Sequence, residues 1–223
     1  HTRYISVTGV QTCALPILSL SNTPIKIGLD PQNLNIILAD KALCVLSNKL
    51  QAFYPEQFSA LQNLNAAQTR AWMHENQAAL SQITTLDLSK SNLKIIPQEI
   101  NLLTGLTQLS LKNNQLTHLP GNAFQKLPNL TVLSLRNNKL TEIPKLGSFN
   151  NLISLDLAYN QLREIPEHAL QGLPTLNVLA LSGNQLTEIP EHALQSLPNL
   201  NFLGLADRKS TRLNSSHTDI SRM

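Results

Sequence analysis

Residues 176–199 read LNVLALSGNQLTEIPEHALQSLPN, and the same arrangement stands 24 residues earlier, at 152–175, as LISLDLAYNQLREIPEHALQGLPT. Further copies start at Leu130 and Leu106, a more divergent one at Ile83 and a shortened one at Leu200. The intervals between starts are 23, 24, 22, 24 and 24 residues. A chain that repeats itself at such a period builds one supersecondary unit over and over, and no unit buries its apolar side until a neighbouring unit covers it. The outcome is a solenoid with five full coils and a sixth begun at Leu200.

Each unit has the order LxxLxLxxNxLxxLP. This resembles the leucine-rich repeat family in its 24-residue form, over about Ile83–Leu205. The resemblance implies an α/β solenoid with a curved parallel sheet on the concave face and short helical or 3-10 turns on the convex face. It also implies a binding platform, because this architecture serves many partners without catalysis of its own.

The residues support that architecture unit by unit. Leu179 and Leu181 alternate around Ala180, the period-two pattern of a short strand. Leu176, Leu179, Leu181, Leu186 and Ile189 are expected to point inward, each contributing about 1.5–3 kcal/mol once covered. Asn184 stands where the chain leaves the strand, and Asn114, Asn138 and Asn160 occupy the same place in earlier units. A side-chain amide both donates and accepts, so these four are predicted to form a ladder that satisfies buried backbone groups. The first unit carries Ser91 there, a weaker substitute at an end coil. On the convex side Ala123-Phe124, Ala169-Leu170 and Ala193-Leu194 predict short helical turns. The third unit is two residues shorter and reads as a more extended wall, with Phe149 in the role of Phe124.

Ahead of the repeats the pattern changes to helical spacing. Asp30-Pro31 reads as a helix start, and Leu34, Ile37, Leu38, Ala42, Val45 and Leu46 predict a helix over about 31–49. A short second helix would open at Pro55. Asn65 and Gln68 form a capping-box pattern for a third over about 66–81, with Trp72, Met73, Ala79 and Leu80 on one stripe. Because an uncovered first coil exposes core leucines, residues 18–82 are read as an N-terminal α-helical cap, with Trp72 and Leu80 on the first coil. Ala71–Ser89, AWMHENQAALSQITTLDLS, is similar to the lead-in of repeat arrays in bacterial proteins.

The two ends read differently. Val7–Ile17, VTGVQTCALPI, back-translates to the index adapter of short-read sequencing libraries, and Asp207–His217, DRKSTRLNSSH, back-translates to its reverse complement. Residues 1–17 and 207–223 are therefore expected to be translated adapter and to add nothing to the fold. Setting aside Arg3, Arg208, Lys209, Arg212 and Arg222 takes Lys+Arg from 17 to 12, and setting aside Asp207 and Asp219 takes Asp+Glu from 14 to 12. The remaining net charge is about zero, so the overall pI near 9.0 supports no nucleic-acid or membrane partner. With Cys13 set aside, Cys44 stands alone and is expected in the helical core, which favours a reducing, cytoplasmic setting, either bacterial or inside a host cell.

Candidate contact residues come from the outward strand positions. Lys90, Asn113, Asn137, Tyr159 and Gly183 make one column; Ser89, Lys112, Arg136, Ala158 and Ser182 make the next; Asp87, Ser110, Ser134, Asp156 and Ala180 make a third. Arg and Tyr carry much of the energy at interfaces, so Lys90, Lys112, Asn113, Arg136, Asn137, Asp156 and Tyr159 are the predicted partner-binding residues. Glu142, Glu164 and Glu188 form an acidic row read as solubilising. The histidines show no closed ligand set for a metal, and no nucleophile elbow, phosphate loop or zinc signature is present. The Asn129-Leu130-Thr131 acceptor pattern is read as chance, since Thr131 falls on a strand. The expected function is protein–protein interaction by a monomer without a cofactor. The alternative is the substrate-recognition region of a larger effector enzyme or adaptor of ubiquitin-ligase type.

Overall fold

The computed structural model describes residues 31–144, 146, 149–166 and 168–205. Both adapter-like ends, the Asp30 start signal, Lys145, Gly147, Ser148 and Glu167 lie outside the described residues.

Six three-residue strands form one parallel sheet in sequence order: β1 Thr85–Asp87, β2 Gln108–Ser110, β3 Val132–Ser134, β4 Ser154–Asp156, β5 Val178–Ala180 and β6 Phe202–Gly204. The register advances one repeat per strand, so Leu86, Leu109, Leu133, Leu155, Leu179 and Leu203 pair in a row. The first five of these leucines are buried, and Leu203 is half-buried. The expected solenoid is therefore present, and the 22-residue third interval costs no register: the shortening is absorbed on the convex side, where Phe149 packs 5.9 Å from Phe124.

The convex wall is less regular than expected. It holds a 3-10 helix at Gln98–Leu102 and the short helix α5, Glu191–Gln195, while among the described residues the second and fourth units turn without regular helix. Three to five residues of apolar small-then-large sequence bury a side chain without needing a completed helical turn.

The helical region is more broken than the periodicity suggested. Helix α1, Pro31–Phe53, runs four residues past its expected end and stops before Pro55, which opens α2, Pro55–Phe58. Its buried side is Ala42, Leu43, Leu46 and Leu50, whereas Ile37, predicted inward, is exposed. The third helix divides at Asn76 into α3, Ala66–Glu75, and α4, Gln77–Leu80. Asn76 closes α3 by donating its side-chain amide to the Trp72 carbonyl at 2.8 Å. The capping box is present: Gln68 N–H donates to Asn65 Oδ1 at 2.9 Å, and Asn65 N–H donates to Gln68 Oε1 at 3.0 Å. Leu80 and Met73 are fully buried, but Trp72 packs edge-on against Phe58 at 5.9 Å, inside the cap.

One apolar core runs from Ala42 to Leu200 through cap and coils alike. Two polar devices fasten the cap. Arg70 on α3 bonds Glu99 in the first coil at 2.5 Å and Asp40 on α1 at 3.2 Å. Tyr54 donates its hydroxyl to the Thr85 carbonyl at 3.1 Å, which occupies a backbone acceptor of the edge strand β1. At Gly105 the cap comes so close that any Cβ would collide with the Ser81 carbonyl. At the other end Leu186, Ile189, Leu203 and Leu205 are only half-buried, whereas Leu200 is buried. Cys44, expected in the helical core, is half-buried there.

Candidate partner-binding face

The strands are held at their C-terminal ends by the asparagines. Asn138 donates to the Leu111 carbonyl of the preceding coil at 3.0 Å and to its own Leu135 carbonyl at 2.9 Å, while its Oδ1 accepts from Leu116 N–H at 3.1 Å. Asn160 repeats the pattern with Leu135, Leu157 and Leu140, and Asn184 with Leu157, Leu181 and Leu162. Asn114 adds a second acceptance, from Ser91 N–H and Leu93 N–H at 3.0 Å each. The Ser91 hydroxyl bonds only inside its own turn, to the Ser89 carbonyl at 3.2 Å. All four ladder asparagines are buried, and no described buried side-chain polar atom lacks a partner.

The residue before each ladder position turns the chain. Lys90, Asn113, Asn137 and Tyr159 have φ of 53–56°, and Gly183 has φ 71°. The first column of candidate contact residues is thus a column of left-handed turn positions. Asparagine and glycine adopt that region readily; lysine and tyrosine do so at roughly 1–2 kcal/mol each. Asn137 donates to Asn113 Oδ1 at 2.7 Å, so those two predicted contact residues also brace each other.

The structure brings Arg136 and Tyr159 together. The guanidinium carbon lies 4.5 Å from the centroid of the Tyr159 ring, a cation–π stack. The other neighbour of the ring is Gly183, whose missing Cβ leaves the space that the ring occupies. Lys112 is exposed one strand before Arg136, and Lys90 one strand before that. Backbone bonds from Lys90 N–H to the Lys112 carbonyl and from Asn113 N–H to the Arg136 carbonyl carry the ladder past the ends of the strands.

The acidic positions of the third column have local work. Asp156 is half-buried, accepting from Ala158 N–H at 3.1 Å and from the Ser134 hydroxyl at 3.3 Å. Asp87 accepts from Ser89 N–H at 2.8 Å in the same turn of the first coil. Burial pushes the Asp87 carboxyl up, but the bonds from Ser89 and Ser110 and the nearby Lys49 outweigh it and hold the group below its ordinary value. Glu142, Glu164 and Glu188 are exposed.

A fourth outward column went unread in the sequence apart from Phe202: Thr85, Gln108, Val132, Ser154, Val178 and Phe202, in register across all six strands. Val132 is 36% and Phe202 55% exposed, which gives the face apolar area beside its cations. The signal was available, since each of these residues precedes a central buried leucine and must point the opposite way. A second ladder, at the strands' N-terminal ends, was also missed. Asn129, Asn151 and Asn199 donate to the carbonyls of Thr104, Pro128 and Pro174 at 2.7–3.1 Å. Thr131 of the acceptor pattern likewise donates to the Thr107 carbonyl at 3.0 Å. Among the described residues no cluster of three metal-ligating side chains occurs, and no helix is long and apolar enough to cross a membrane.

Comparison with known proteins agrees with this geometry. The family profile described as leucine rich repeat matches residues 104–152 and 150–207. The crystal structure of the APL1 leucine-rich repeat domain superposes with a TM-score of 0.54 at 26% identity. Residues 104–207 are leucine-rich repeats. The superposition covers 59% of this chain and 35% of the APL1 chain, so the chain spans about a third of the length of that relative. Among solved structures 337 chains match, a number too large for the fold to single out one partner. No curated protein sequence matches. Leucine-rich repeat domains serve in general as protein-interaction modules, and this array belongs with them.

Proposed function

We propose that this array binds a partner protein through the concave sheet, with Lys112, Arg136 and Tyr159 at the centre of the contact. The observation that carries the reading is the Arg136–Tyr159 stack. A tyrosine held in a left-handed turn, half exposed and stacked by an arginine from the preceding coil, is a costly arrangement at a place filled in the other coils by lysine, asparagine or glycine. Stacking holds both side chains before a partner arrives, which lowers the ordering entropy that binding must overcome. Val132 and the fourth column supply apolar area next to it.

The test is partner capture from the native source by the immobilised chain, compared with a variant in which Lys112, Arg136 and Tyr159 are all changed to Ala. A protein captured by the wild type and lost by the triple variant supports the site. Capture unchanged by the three substitutions sinks it.

A further inference from the structure

We propose that the partner segment seated on this face is acidic, placing one carboxylate on Arg136 and a neighbouring one on Lys112. The inference rests on the concave-face reading and adds the chemistry of the ligand.

Three observations lead to it. First, Lys90, Lys112 and Arg136 stand on successive coils, and parallel strands lie about 4.8 Å apart. Among the described residues the ion pairs are those of Arg70 in the cap, so these three like charges have no carboxylate of their own. Second, the acids beside them are already engaged. Both Asp156 oxygens accept bonds within the sheet, and Asp87 closes the Ser89 turn in the first coil, beside Lys90. Third, the Arg136 guanidinium carbon sits 4.5 Å from the centroid of the Tyr159 ring, and its N–H donors make no hydrogen bond among the described residues. A guanidinium carries its N–H donors in the plane of the group, so stacking on a ring leaves the fork available to a carboxylate. The Tyr159 ring below it is seated in the space left by Gly183, which keeps the fork in one place.

The spacing selects the kind of segment. Cations one strand apart match carboxylates on side chains that project to the same side of an extended peptide, about 6–7 Å apart and joined by flexible stems. A nucleic acid is the less fitting occupant: phosphate tracking takes a long basic stripe, and the cationic run ends at Ala158.

The experiment is a titration of the full chain, isotope-labelled for amide NMR, with N-acetyl hexaglutamate amide at low salt. The controls are hexaglutamine and a single-stranded oligonucleotide of equal charge. Shifts confined to the turns at 89–91, 111–114, 135–138 and 158–160, absent with hexaglutamine, are the expected result. Arg136→Gln should weaken the apparent affinity at least fivefold. Arg136→Lys, which keeps the charge but loses the planar fork, should weaken it by a similar factor. Lys139→Gln, outside the stack, should leave it unchanged. Absence of shifts on this face overturns the proposal, as does an Arg136→Lys variant that binds like wild type or an oligonucleotide that binds more tightly than hexaglutamate. If the peptide fails while the triple alanine variant still loses its captured partner, the acidic chemistry is wrong and the concave docking site stands.

Discussion

A Cβ on Gly183 would lie 2.8 Å from Cδ1 of Tyr159, so the ring of one coil occupies the side-chain space of the next. Gly183→Ala must therefore move the ring and also place a side chain at φ 71°. We expect a loss of about 1–3 kcal/mol in urea unfolding, part from the left-handed backbone and part from the displaced ring. In a Tyr159→Asn background the ring part vanishes, so the same substitution should cost only about 1 kcal/mol. Equal costs in both backgrounds would show that ring and glycine are not coupled.

The asparagine ladder makes a graded prediction. Asn138→Ala leaves Leu116 N–H and the Leu135 carbonyl without their side-chain partner in a buried place, which should cost about 2–4 kcal/mol. Asn138→Asp keeps the shape but turns the donor toward carbonyl oxygens into an acceptor, and should cost at least as much. Ser91→Ala removes one local bond in the end coil and should cost less than about 1 kcal/mol. Thermal melts of the three variants would read the order directly, and a Ser91 variant as damaged as Asn138→Ala would contradict it.

Arg70 holds the cap to the first coil through Glu99, which is 8% exposed. Its hydrogen bond to Glu99, working against burial, raises the guanidinium pKa further. Arg70→Met strands the Glu99 carboxylate. Because Arg70 is itself more than a third exposed, the low end of the range for broken buried pairs applies, about 2–3 kcal/mol. Changing Glu99 to Leu as well should recover most of that loss. Limited proteolysis, with cleavage appearing near residues 62–65 in Arg70→Met alone, gives an independent readout.

The acid limb of the stability profile should contain Asp87. Its carboxyl is held below the ordinary value of 3.8, so the folded state binds this proton less readily than the unfolded chain. The resulting stabilisation is complete above the unfolded value and is lost as pH falls through the lower folded value. The melting temperature of wild type should fall from about pH 4 downward. Asp87→Asn should start lower at neutral pH and lack this component of the fall. Parallel pH profiles for the two proteins would exclude the contribution.

The period of the repeats determined the architecture, the register and the ladder by itself. A leucine every second or third residue and an asparagine at one fixed place leave a single arrangement in which each coil buries the next. Those regularities are local, so they are visible in one unit of sequence: Asn138 has the same task as Asn160 because its neighbours in the chain are the same. Three kinds of feature were decided only in three dimensions. Arg70 and Glu99 are 29 residues apart, and nothing in either segment names the other; the pair exists because α3 packs across the first coil. The break at Asn76 follows from a side-chain bond competing with the helix, which periodicity does not register. Tyr159, Arg136 and Gly183 belong to three different coils. Their positions were legible as columns, but the stack depends on side-chain direction in a left-handed turn, and that direction is settled by the space one missing Cβ leaves in the neighbouring coil.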